Sequence, residues 1–133
     1  MKNKLKSKKG FTLVELLVVI GIIGVLSAIA APAALSKVKE AKEKTDVANA
    51  ASIAMAIKSE WAEGNTAFTD NKISADDLTA LATEYFEGIV PKSKLDEADF
   101  SVTMTDNKIT VSTTKHIFYP YDGTLKEVPV VTP

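Results

Sequence analysis

One carboxylate stands where a charge is costly. Glu15 is the only charged residue between Lys9 and Lys37, and residues 16–36 run for 21 positions without a charge. A carboxylate inside a bilayer costs roughly 2.5–3.5 kcal/mol at the centre of a spanning helix, and less near its end. Such a group is a functional candidate by default. The chemistry open to it is ion pairing with a cation at similar depth, and the chain as written has none there. A first-turn acid is also favoured by the helix dipole, a role compatible with pairing.

Other reactive residues offer little. There are 0 Cys, which removes disulfides, thiolate metal sites and cysteine nucleophiles. The one His, His116, sits in a strand pattern beside Lys115 and Ile117 with no acidic partner nearby in sequence, so it reads as non-catalytic. Asp96-Glu97-Ala98-Asp99 spells a helicase-like tetrapeptide. No phosphate-binding glycine loop accompanies it, so it reads as a solvated linker. The acids Asp96, Glu97, Asp99, Asp106 and Asp122 match no calcium-loop spacing. All 16 basic residues are Lys, and the net charge is −1. That balance disfavours a nucleic-acid binder, and the arginines that read guanine are missing. The expectation is a chain that is not an enzyme, with no cofactor, no metal and no direct nucleic-acid site.

The elements that must position Glu15 follow from how residues are distributed. At 133 residues, with 46% apolar and 25% charged, the chain holds one small domain plus an accessory segment. Three zones are visible: a basic leader at 1–10, an apolar helix at 11–35 and a polar head at 36–133. The leader carries five Lys and no acid. The apolar zone is long enough to cross a bilayer core of roughly 30 Å. Lys37–Asp46 carries four Lys and three acids, so lysine density places the N-terminus inside and the head away from the cytoplasm.

Beyond the apolar zone the helical pattern continues. Lys37–Asp46 reads as a solvated charged face, with Glu40–Lys44 and Lys39–Glu43 at i,i+4 spacing. Val47, Ala50, Ala54, Ile57 and Trp61 form an apolar stripe that Ala48, Ala51 and Met55 broaden. Gly64-Asn65 stops it. The spacing predicts one helix from about Phe11 to Glu63, bent or loosened at Pro32. About 53 residues make a rod of roughly 80 Å. A head of this size cannot bury it, so half of it needs lipid or other copies of itself.

Residues 65–73 read as loop. Ser74 is an N-cap, with Asp76 and Asp77 in the first turn. Leu78, Leu81, Ala82, Tyr85 and Phe86 form a short amphipathic helix ending at Gly88. A linker over Ile89–Asp99 leads to alternating strands at Phe100–Thr105 and Ile109–Thr113, joined by the turn pair Asp106-Asn107. Lys115–Tyr119 is a third strand candidate. Leu125–Val131 is a fourth, confined to an edge by Pro129. Phe118, Tyr119 and Tyr121 read as packing rather than as an adhesive patch. The fold class is α+β: a long N-terminal helix, its apolar half protruding and its amphipathic half packed on a small antiparallel sheet of 3–4 strands.

Lys8-Lys9-Gly10-Phe11-Thr12-Leu13-Val14-Glu15-Leu16-Leu17-Val18-Val19-Ile20 resembles the class III signal of type IV pilins and pseudopilins. The resemblance implies cleavage after Gly10 by a prepilin peptidase and methylation of the new amine on Phe11. It implies that Glu15, fifth in the mature chain, neutralises the amine of a neighbouring subunit. Gly24 and Pro32 fall where that family often has glycine and proline. The implied partners are further copies of the chain, the prepilin peptidase, the inner-membrane assembly machinery and, before assembly, the lipid bilayer. The head resembles pilin heads in architecture alone. Many Gram-negative pilins close a C-terminal loop with a disulfide; this chain cannot, which leans the reading toward a Gram-positive source.

Cleavage would create the cation that Glu15 lacks. It would also remove five lysines that hold the N-terminus at the membrane surface. Gly21, Gly24, Ser27, Ala28, Ala30, Ala31 and Ala33 are small enough for close helix approach. Gly24 and Pro32 weaken the helix between them. Rival readings are an ordinary signal anchor and a secretory signal peptide cut near Ala28-Ile29-Ala30. The signal peptide would release a binding module, but Glu15 inside the apolar core speaks against it. A pseudopilin of a secretion or DNA-uptake machine shares the same motif.

Overall fold

The computed structural model describes residues 10–65 and 72–129. The leader at 1–9, the loop at 66–71 and the end of the fourth strand candidate from 130 on lie outside the described residues. The chain divides into two units, Met1–Val38 and Lys39–Pro133.

Helix α1 covers Leu13–Ala62. Its first part belongs to the first unit, where every described residue is exposed. Leu, Val and Ile side chains cover this stretch on all sides, so no polar face remains to meet water. By length and composition it is apolar enough to cross a membrane. Gly24 and Pro32 both lie inside α1 rather than at its ends. Pro32 has no N–H to give the Ala28 carbonyl, so the helix ladder lacks one bond there.

In the second unit, α1 buries Ala50, Ile53, Ala54, Ala56 and Ile57 against the sheet. The stripe is broader than its strict spacing predicts, and it broadens to a different side. Ala48 and Met55 face solvent, and Ile53 and Ala56 take the core positions instead. Both sets satisfy a 3.6-residue period. The sequence shows the period but not which neighbour the sheet will cover.

Helix α2, Ala75–Tyr85, starts at a reciprocal cap. The Ser74 Oγ accepts from the Asp77 N–H at 3.1 Å, and the Asp77 carboxylate accepts from the Ser74 N–H at 3.0 Å. Two otherwise orphan donors are satisfied. Leu78, Leu81 and Ala82 face the core. The chain leaves α2 through two left-handed residues, Glu87 and Gly88. The Gly88 N–H closes the helix on the Ala82 carbonyl at 2.8 Å. Ser74→Ala is expected to destabilise the head by about 0.5–2 kcal/mol. A urea midpoint equal to wild type would count against that role for the cap.

Five antiparallel strands follow chain order across one sheet: β1 Lys72–Ile73, β2 Ser101–Thr105, β3 Lys108–Ser112, β4 His116–Tyr119 and β5 Lys126–Glu127. Strand β1 falls in the predicted loop. Its two residues pair with Thr103 and Val102, and two residues carry no alternation to read. Asp106 and Asn107 both have positive φ, 49° and 62°, as a two-residue primed turn between twisted strands requires. Val102, Met104, Ile109 and Val111 alternate inward from β2 and β3, beneath α1. Phe118 fills the centre, edge-on to Phe100 with ring centroids 5.6 Å apart.

Candidate functional site: the start of the N-terminal helix

The first helical residue is Leu13, which makes Thr12 the N-cap and Glu15 the third residue of the first turn. The Glu15 carboxylate folds back on the cap. Its Oε2 accepts from the Thr12 N–H at 2.9 Å and from the Thr12 hydroxyl at 3.0 Å. The Glu15 N–H donates to Thr12 Oγ1 at 3.2 Å. This is a capping box, and the helix dipole favours the negative charge within it. Sequence reading overlooked it, although Thr12-Leu13-Val14-Glu15 is the signature itself. Both Thr12 bonds fall on one oxygen. Among the described residues, Oε1 has no partner. The carboxylate can therefore cap its own helix and still accept from an outside cation.

Gly10 and Phe11 precede the helix and are exposed, Phe11 at 84%. A non-helical, accessible peptide is what a protease needs to bind. Gly24 lies 14 residues after Gly10 in the chain. A Cβ built on Gly21 or Gly24 meets nothing within 4 Å. Among the described residues, no contact asks for glycine at either position.

Three titratable residues depart from their sequence reading. Asp46, at the end of the supposedly solvated run, is 0% exposed. Its carboxylate accepts from the Ser93 hydroxyl at 2.7 Å, the Lys94 N–H at 2.7 Å and the Leu95 N–H at 2.8 Å. Asp96, expected in a solvated linker, has a side chain only 2% exposed. It accepts from the Thr113 hydroxyl and faces His116 Nδ1 at 2.8 Å. His116 thus has the acidic partner that local sequence did not reveal. The Asp96 N–H donates to Ser93 Oγ at 3.0 Å, which links the two clusters through one connector. Among the described residues, no three His, Asp or Glu side chains gather as a metal site.

The remainder of the charged run is surface. Glu40 and Lys44 pair at 2.7 Å. That hydrogen bond and the Glu40 charge hold the Lys44 ammonium above its ordinary pKa. Exposed pairs of this kind contribute little. Tyr119 accepts from the Lys58 ammonium at 2.8 Å, and Tyr121 donates to Glu43 at 3.3 Å. Desolvation, reinforced by the Glu43 carboxylate, pushes the Tyr121 phenol up. Both tyrosines thus bond side chains of α1.

The family model of the prokaryotic N-terminal methylation motif matches residues 5–31. The match takes in Gly10, Phe11, Glu15 and Gly24 and ends just before Pro32. This motif is the class III signal of type IV pilins and pseudopilins, so the chain carries the signal of a pilin- or pseudopilin-like prepilin-peptidase substrate. No curated protein and no solved structure matches the chain.

Proposed function

We propose that the chain is a prepilin, cut between Gly10 and Phe11 and methylated on Phe11, whose mature form polymerises into a type IV pilus filament. The observation that carries this reading is the state of Glu15. It is the only charge in the exposed apolar stretch of α1 before Lys37, and one of its oxygens is held by the cap while the other is left for a partner.

The parts then act in sequence. The precursor spans the cytoplasmic membrane once, leader inside and head outside. Prepilin peptidase on the cytoplasmic face removes the leader and its five lysines. Hydrolysis of the Gly10–Phe11 bond leaves an ammonium at Phe11 and a carboxylate at Gly10. A subunit entering the filament at the inner-membrane assembly machinery sets its Phe11 ammonium against the Glu15 of a neighbour. Both charges leave lipid for a low-dielectric interior as a pair, which costs far less than burying either alone. Apolar helices replace lipid as each other's cover. Gly21 and Gly24, which no contact among the described residues requires, let their backbones approach. The stretch between Gly24 and Pro32 loosens on assembly, where the ladder already lacks a bond. The finished filament lies at the cell surface.

A pseudopilin of a type II secretion or DNA-uptake machine is the second reading, because the matched motif serves both classes. Loss of long surface filaments on deletion favours the pilus. Loss of secretion or transformation favours the pseudopilus.

N-terminal mass spectrometry of the protein from its native cell tests the first step. The expected chain starts at Phe11 and carries one added methyl group. A start near Ala31 would make the protein an ordinary secreted one and end the filament reading.

A further inference from the structure

The Asp96–His116 pair has no part in the N-terminal chemistry. His116 is the chain's one histidine. Its Nδ1 lies 2.8 and 3.0 Å from the two Asp96 oxygens. An ionised carboxylate can only accept, so Nδ1 carries the proton and a neutral ring presents its lone pair at Nε2. No described residue bonds Nε2. No buried side-chain nitrogen among the described residues lacks a partner, so Nε2 opens to solvent.

Glu127 stands opposite. It is the cross-strand partner of His116, β4 to β5. The adjoining ladder bond runs from the Val128 N–H to the Lys115 carbonyl at 2.8 Å. His116 and Glu127 are therefore a non-hydrogen-bonded pair, the kind whose side chains approach most closely. Both line one surface pocket, with Thr114, Lys115 and Val128. Glu127 is exposed and has no ion pair among the described residues.

We propose that His116 and Glu127 form a two-residue site for a divalent transition-metal ion, with Asp96 as the carboxylate that positions the imidazole. A ring nitrogen beside a carboxylate suits zinc, nickel or copper rather than magnesium or calcium, which take oxygen ligands. A ligating imidazole commonly donates its other N–H to a carboxylate, which fixes tautomer and orientation. Asp96 does this from a buried position, with the Thr113 hydroxyl holding the carboxylate in turn. One chain supplies two ligands, and water fills the remaining positions. Lys115 on the pocket wall opposes the cation, so removing its charge should tighten binding. This site is independent of how the N-terminus is processed.

The test is a titration of the full chain in detergent micelles with Zn²⁺ alone, read at the ring signals of the single histidine. The expected result is a saturable shift centred on Nε2. Glu127→Gln, a change at an exposed edge position, should weaken binding about tenfold or more, and Asp96→Asn by about 10–100-fold. Ring signals unmoved at a large excess of Zn²⁺ would overturn the proposal. So would wild-type affinity in Glu127→Gln, or an equal shift with Mg²⁺. Zinc held elsewhere on the acidic surface leaves the ring signals in place and therefore counts as the first of these failures.

Discussion

Asp46→Ala is expected to cost the second unit about 3–5 kcal/mol of stability. The change removes one carboxylate and strands three donors: the Ser93 hydroxyl and the backbone N–H groups of Lys94 and Leu95. Each buried donor left without a partner costs about 1–3 kcal/mol, and entering water recovers part of it. Against a total stability of about 5–15 kcal/mol, that is a large fraction. The effect should spread, because Ser93 also accepts from the Asp96 N–H, and Asp96 holds Thr113 and His116. One short connector thus ties α1 to the sheet through two acids. Asp46→Asn should cost less, since it keeps one acceptor oxygen, but it still turns a donor toward donors. Urea denaturation of the full chain in detergent, followed by the fluorescence of Trp61, the only tryptophan, gives the number. A loss below about 1 kcal/mol would mean that the carboxylate does not hold the connector.

The same residue shows where sequence reading stops. Asp46 ends a run of charges that looks solvated from its neighbours alone. Its Ser93 partner is 47 residues away, and no period in the chain points there. Asp96 and His116 are 20 residues apart and equally silent. What was legible was local. The N-cap at Ser74, the turn pair at Asp106-Asn107 and the inward alternation of β2 and β3 each need only a few adjacent residues. The core stripe of α1 lay between these cases. Its period is local, but the sheet decides whether Met55 or Ile53 goes inside. Glu15 was legible as an isolated charge because isolation is a property of the sequence. Its cap was equally local, yet the cost of a charge in an apolar run drew attention away from the Thr12 three residues before it.

That double role of Glu15 allows a separation that a single substitution cannot give. Glu15→Ala removes the charge and the cap together, so a failed filament would not say which mattered. Glu15→Gln keeps the oxygen that a capping box can use and loses only the charge. Should pairing with the Phe11 ammonium drive assembly, both variants fail. An ammonium buried without its partner costs about 3–5 kcal/mol. At about 1.4 kcal/mol per tenfold, that lowers the equilibrium for adding a subunit by roughly a hundredfold or more. Insertion into the membrane should stay normal or improve in both, because a charge has left the apolar segment. The measurement is filament yield per unit of membrane-inserted, methylated protein. Cleavage at Gly10 is scored in the same sample, so that loss of processing is not mistaken for loss of assembly. The pairing role predicts that Gln behaves as Ala does. Filament yield restored by Gln would assign Glu15 to the cap alone, and the partner of the Phe11 amine would then have to be sought elsewhere.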